Sequence, residues 1–144
     1  MHRRDLVRKV ISGGTVLVLV PSVLQSCSKD DTDNVGGGTP PPAGQTITVD
    51  LSLPENAALN TAGGSKVVRS VLFANVGNNV FIALNSVCTH QGFTVEYMHS
   101  AGNLQCPCHG SSYTTTGSVI TGPAPAPLTS YPVNKNGNIL TIST

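Results

Sequence analysis

From Gln45 to Thr144 the apolar residues come in short runs, often at every second position. Thr46 to Leu53 alternates polar and apolar without a break, the period of a half-buried strand. Lys66 to Ala74 and Asn79 to Leu84 are Val/Ile/Leu/Phe runs of strand length, and Asn75 to Asn79 between them reads as a hairpin turn. Thr94 to Met98, Leu128 to Val133 and Ile139 to Ser143 are further strand candidates, with an Asn136-Gly137 turn signal just before the last. No window carries a 3.6-residue apolar stripe of useful length. The pattern therefore predicts an all-β domain, a small antiparallel β-sandwich or barrel, with loops at the points where the alternation breaks. With three Phe, three Tyr and no Trp, its core must be built mainly from Val, Ile and Leu. No internal repeat is visible.

The first 44 residues follow other rules. Met1 to Lys9 is positive, and Val10 to Leu24 is an apolar stretch interrupted by Ser12, Gly13, Gly14, Thr15, Pro21 and Ser22. At about 1.5 Å per helical residue it falls short of a ~30 Å bilayer core and reads as the apolar part of a signal peptide. Arg3-Arg4 resembles a twin-arginine export signal, and Leu24-Gln25-Ser26-Cys27 resembles a bacterial lipobox, in which Cys27 becomes the lipidated first residue. An uncleaved anchor helix is the alternative. Residues 28–44 contain Gly36-Gly37-Gly38 and Pro40-Pro41-Pro42 and almost no apolar content, so they read as a tether. The expected division is a signal at 1–27, a tether at 28–44 and a domain at 45–144.

Charge removes one class of function. Charged residues are 10% of the chain, and four of the eight basic ones (Arg3, Arg4, Arg8, Lys9) lie in the signal. Residues 28–144 keep four basic and six acidic side chains, which leaves no basic face to neutralise phosphates and excludes a nucleic-acid partner.

The chemistry lies in two segments, Cys88-Thr89-His90-Gln91-Gly92-Phe93 and Cys106-Pro107-Cys108-His109-Gly110-Ser111-Ser112-Tyr113. Each pairs a thiol with an imidazole, as Cys-x-His and Cys-x-x-His, with fifteen residues between. These donors suit zinc, iron or an iron–sulfur cluster. Structural zinc sites favour Cys-x₂₋₄-Cys and His-x₃₋₅-His spacings, and a single-residue gap is awkward for closing a tetrahedron around one ion. Mixed pairs suit a two-metal rhomb better, and zinc stays as the alternative.

Both boxes, the gap between them, Gly110-Ser111 and Tyr113, and the loop Gly122-Pro123-Ala124-Pro125-Ala126-Pro127-Leu128 resemble the Rieske iron–sulfur family over roughly residues 45–144. The resemblance implies a [2Fe–2S] cluster with Cys88 and Cys106 on a buried iron and His90 and His109 on an outer one. It places Pro107, Gly110, Gly122 and Pro123 in the loops around the cluster. It also implies that the Ser111 hydroxyl donates to a bridging sulfide and the Tyr113 hydroxyl to the Cys88 sulfur, as in high-potential members. One feature departs from the family. The quinol-oxidising members tie the two loops with a disulfide. Cys108 matches one partner, but Phe93 stands at the other position. The expectation is a free Cys108 thiol packed as a small hydrophobe, with Phe93 replacing the covalent tie by apolar contact. His99, outside both boxes, is expected to be a solvated loop residue.

The function implied is one-electron transfer by an exported lipoprotein of the bacterial cell envelope, membrane-anchored through Cys27. Its partner would be a redox protein, such as a cytochrome, or a quinol. A quinol-oxidising subunit of a cytochrome complex and a ferredoxin of an oxygenase system are the alternatives. The signal argues against the ferredoxin, which works in the cytoplasm. No stand-alone catalytic site is visible.

Overall fold

A computed structural model describes residues 39–144. The expected signal with Cys27, and the tether up to residue 38, lie outside the described residues. Pro42 is held where the domain begins, its carbonyl accepting from the Thr144 hydroxyl at 2.6 Å.

Among the described residues, eleven strands form three antiparallel sheets. The first sheet contains β1 (Thr46–Asp50), β11 (Ile139–Ser143) and β10 (Asn134–Asn136), in that order. The second contains β2 (Ser65–Val68), β3 (Val71–Gly77), β4 (Val80–Asn85) and β9 (Ser130–Tyr131). The third contains β5 (Glu96–Met98), β6 (Asn103–Gln105), β7 (Ser112–Thr114) and β8 (Val119–Thr121). A 3-10 helix, Pro54–Asn60, links β1 to β2 and buries Leu59.

The second sheet is the middle layer. Alternate residues of a strand point to opposite faces, and β3 is buried on both. Leu72 and Ala74 join Leu84 of β4, Val95, Tyr97, Leu104 and Tyr113 in one apolar cluster. Val71 and Phe73 join Ala83, Ile47, Val49, Leu140 and Ile142 in another. A strand covered on both faces reads as a continuous apolar run rather than an alternation, which explains the Val71-Leu72-Phe73-Ala74 sequence. The third sheet meets this layer through one cross-strand row, Tyr97, Leu104 and Tyr113, paired in register and each buried.

The structure divides the segment Lys66–Ala74 differently from the expectation of one strand. Arg69 and Ser70 take φ of 50° and 62° and turn the chain between β2 and β3. Neither residue belongs to the Asn-Gly class that announces such turns. Asn78 and Asn79 (φ 51° and 62°) make the next turn, tighter than the expected Asn75–Asn79 loop. Asn75 belongs to β3, where its side chain donates to the Leu59 carbonyl and ties the 3-10 helix down. The strand expected over Leu128–Val133 contracts to β9, and that over Thr94–Met98 to β5. Strands β6, β7 and β8 have three residues each, too few to show a period.

Phe73 is fully buried at the centre of the layered core. Replacing it by alanine should lower stability by about 3–5 kcal/mol, read as a fall in the urea midpoint at unchanged slope.

Candidate metal centre

Both Cys/His segments are loops hung from strand ends. The first spans β4 to β5, closed at its base by the Val87–Thr94 bridge. The second connects β6 to β7, with Cys106 directly after one strand and Ser111 directly before the other. The two loops share one backbone design. The N–H of Cys88 donates to the Phe93 carbonyl and the Cys88 carbonyl accepts from Gly92; the N–H of Cys106 donates to the Ser111 carbonyl and its carbonyl accepts from Gly110. The glycines stand four residues after the cysteines at φ 74° and 73°, a left-handed conformation that other residues adopt only with strain. The repeated Cys-x₃-Gly spacing was present in the sequence as a sign of this, although no repeat was visible by side-chain pattern.

The same tight turn aims backbone N–H groups at each sulfur. Burial pushes the Cys88 thiol up, but the Tyr113 hydroxyl, the His90 N–H, the Cys106 thiol and the Gln91 N–H bring it below the ordinary thiol value. Burial pushes the Cys106 thiol up and prevails, aided by the neighbouring Cys88, although the N–H groups of Cys108 and His109 oppose it. In both loops the donors are therefore the second and third residues after the cysteine. Cys88 and Cys106 lie within reach of each other and are 2% and 1% exposed.

The imidazoles form a second pair. Their ring centroids are 4.7 Å apart and nearly perpendicular, with His109 exposed and His90 half-buried. Among the described residues, no three or more His, Cys, Asp or Glu side chains converge on a point that would hold one ion. The donors instead stand as thiol with thiol and ring with ring, and two protein donors on each iron is what a two-iron rhomb with mixed ligands requires.

One atom tests the fit of such a cluster. Nδ1 of His90 is buried and has no hydrogen-bond partner. An unpartnered buried nitrogen costs free energy, and a metal bond at that nitrogen removes the cost. The thiols and their N–H donors fit as well, because a coordinated sulfur is a thiolate, which accepts such bonds.

Ser111 and Tyr113 are fully buried on β7 and its approach. The Tyr113 hydroxyl is 3.2 Å from the Cys88 sulfur. Burial, and then the Cys88 contact, push its pKa up, which keeps it a donor. Ser111 Oγ accepts from the Ala124 N–H at 3.1 Å, which leaves its own proton to give. The proline-rich loop is thus fastened to the second cluster loop. Its other fastening, to the first, is Thr89, whose hydroxyl donates to the Ala126 carbonyl at 2.6 Å. Gly122 and Pro123 lie exposed in this loop, joined by a cis peptide, and Pro107 is exposed within the second Cys/His loop, between Cys106 and Cys108. Sequence reasoning passed over Thr89, which sat inside the Cys-x-His motif as the unspecified residue.

One expectation changes. Cys108 is not the free thiol expected. Phe93 and Cys108 both pack against the apolar cluster beneath the loops, and the Phe93 ring stands edge-on to His109 at 5.9 Å. His99 is exposed, yet its Nδ1 lies 3.2 Å from the Tyr97 hydroxyl and its ring fills the space beside Gly63.

Layered antiparallel sheets that present two loops of paired sulfur and nitrogen donors define a small iron–sulfur class. The Rieske [2Fe-2S] domain family matches residues 48–132. The cytochrome b6-f complex iron-sulfur subunit of Chlorobaculum thiosulfatiphilum is 32% identical over 146 residues, covering 99% of this chain and 75% of the relative. The subunit of the same name from Synechococcus sp. (strain JA-2-3B'a(2-13)) is 33% identical over 135 residues, covering 89% and 78%. Among solved structures, the plasma membrane Rieske protein of Synechocystis PCC 6803 matches with a TM-score of 0.55 at 28% identity, covering 68% of this chain and 99% of that one. The chain belongs to the Rieske [2Fe–2S] family. Its cofactor is a [2Fe–2S] cluster and its chemistry is electron transfer.

Each hydroxyl donor near the cluster should favour the more negative, reduced state. Ser111→Ala and Tyr113→Phe are each expected to lower the midpoint potential with the cluster retained. If the hydrogen bond strengthens by about 1–2 kcal/mol on reduction, the fall is roughly 40–90 mV. Protein-film voltammetry checks both.

Proposed function

We propose that Cys88 and Cys106 hold the inner iron, that His90 and His109 hold the outer iron, and that the protein is an exported, membrane-tethered one-electron carrier. The observation that carries this reading is the radial order of the donors: two buried thiols, a half-buried imidazole whose Nδ1 faces inward without a partner, and one exposed imidazole. When bound, the cluster supplies a site that gains and loses one electron. The protein's part is to keep that site dry on the sulfur side and to open it on the imidazole side.

Charge explains the choice of ligands. Two ferric ions, two sulfides and two thiolates sum to neutrality when the histidines are neutral, whereas four thiolates would leave two negative charges before any electron arrived. Exchanging two thiolates for imidazoles therefore raises the potential from about −400 mV to about −150 to +300 mV. The backbone N–H pairs at each sulfur, with Ser111 and Tyr113, push in the same direction. His109, on the surface, is the exit for the electron.

Export and anchoring are supported by Arg3-Arg4 and by the lipobox-like segment ending at Cys27. Among the described residues no helix is long and apolar enough to cross a membrane. The electron partner is a redox protein such as a cytochrome. A second reading, oxidation of a quinol at the exposed imidazole, is favoured by the relatives named as cytochrome b6-f iron-sulfur subunits. The ferredoxin of carbazole 1,9a-dioxygenase from Nocardioides aromaticivorans IC177, at 16% identity and a TM-score of 0.50, shares the fold and no more.

Redox titration of the purified full chain, followed by EPR and by iron and acid-labile sulfide analysis, tests the reading. The expected result is equal iron and sulfide and a midpoint inside the mixed-ligand range. His109→Cys should retain a cluster at a lower potential, toward the all-cysteine value. A colourless protein with zinc and no labile sulfide overturns the ligand assignment. Cys27→Ser should move the protein from the membrane to the soluble fraction. Co-purification with a b-type cytochrome selects the quinol reading.

A further inference from the structure

Thr89 meets the Tyr113 hydroxyl twice. Its backbone N–H donates to the phenolic oxygen at 3.3 Å, and its side-chain oxygen lies 3.2 Å from the same atom. The Cys88 sulfur also lies 3.2 Å from that hydroxyl. Proton counting settles who can give to whom. A threonine hydroxyl has one proton, and at 2.6 Å it goes to the Ala126 carbonyl. Toward Tyr113 the Thr89 oxygen can only accept. The phenol also has one proton, and two acceptors, the Thr89 oxygen and the Cys88 sulfur, stand at equal distance from it.

We propose that Thr89 is a positioning residue that sets the reduction potential by competing with the Cys88 sulfur for the Tyr113 proton. The inference rests on Cys88 being a cluster ligand. Reduction places more negative charge on the coordinated sulfur and draws the phenolic proton toward it. A neutral oxygen beside the phenol keeps a share of that proton and so limits what the sulfur gains. The Thr89 N–H has a separate effect. By donating to the phenolic oxygen it fixes that oxygen in place and sharpens its O–H as a donor. The proline-rich loop enters as well, because the Ala126 carbonyl is what turns the Thr89 oxygen into an acceptor. Without that carbonyl the hydroxyl proton would be free to point at Tyr113 instead.

The test uses the full-length protein with its cluster. Thr89→Val removes the competing oxygen and keeps the side-chain shape and the backbone N–H. Its midpoint potential should rise above that of the unmodified protein, and the Fe–Sγ stretch of Cys88 in resonance Raman should fall, as expected for a sulfur that accepts a stronger hydrogen bond. Thr89→Ser, which restores the oxygen, should return both readings. In a Tyr113→Phe background Thr89→Val should cause no further shift. The same upward shift in that background overturns the proposal, because it would show Thr89 acting through the proline-rich loop. No shift from Thr89→Val, with Tyr113→Phe still lowering the potential, also overturns it. If Tyr113→Phe is itself silent, the phenol does not tune the potential and the inference falls, whereas the ligand role of Cys88 is read separately, from loss of the cluster in Cys88→Ala. Should the valine variant fail to hold its cluster, Thr89→Ala is judged by the same potentials. Cluster loss in both overturns the proposal in favour of a purely structural role.

Discussion

On the proposed ligand set, the site depends on keeping two thiolates inside an apolar layer. A charge taken out of water is costly unless it is paired or hydrogen-bonded. Among the described residues, the groups that act on these sulfurs include no cationic side chain; the compensation comes from the Tyr113 hydroxyl at Cys88 and from backbone N–H groups at both sulfurs. Each cysteine opens a tight loop whose next residues turn their N–H groups back onto its own sulfur. Such donors are held in place by the fold and need no reorganisation when charge changes. The left-handed glycines at 92 and 110 close those loops, so a conformational requirement at two residues without side chains underlies the electrostatics of the whole centre.

The layered sheets give the loops their rigidity. Tyr113 is part of the cross-strand row that anchors the third sheet to the middle one, and its hydroxyl also touches Cys88. Ser111 similarly links the second loop to the proline-rich segment through Ala124. The side chains proposed to adjust the redox centre are thus core residues, and their freedom is limited by the packing of β3 and β4 beneath them. This is the sense in which a small domain with a modest core can hold a well-defined centre: the same atoms serve stability and chemistry.

Much of this was legible from the residues. The strand period of Thr46–Leu53 and the Asn136-Gly137 turn marked β1 and the last hairpin, and the two Cys/His segments marked the family. Other parts lay beyond pattern reading. The Arg69-Ser70 turn carries no turn signal of its own and is imposed by pairing between β2 and β3. The three-residue strands of the third sheet are recognisable only by their partners. Thr89 was hidden for another reason: its role is a matter of which proton goes where, and spacing holds no information on that.

The two loops are copies at the level of the main chain but not at the level of the imidazoles. Histidine follows cysteine by two positions in the first loop and by three in the second, while the sulfur-directed N–H groups and the glycine keep their places. One register step therefore leaves one ring sheltered and its neighbour open to solvent. A near-symmetric scaffold has in this way acquired a front and a back, and a visiting molecule meets a single nitrogen-bearing face rather than two equivalent ones.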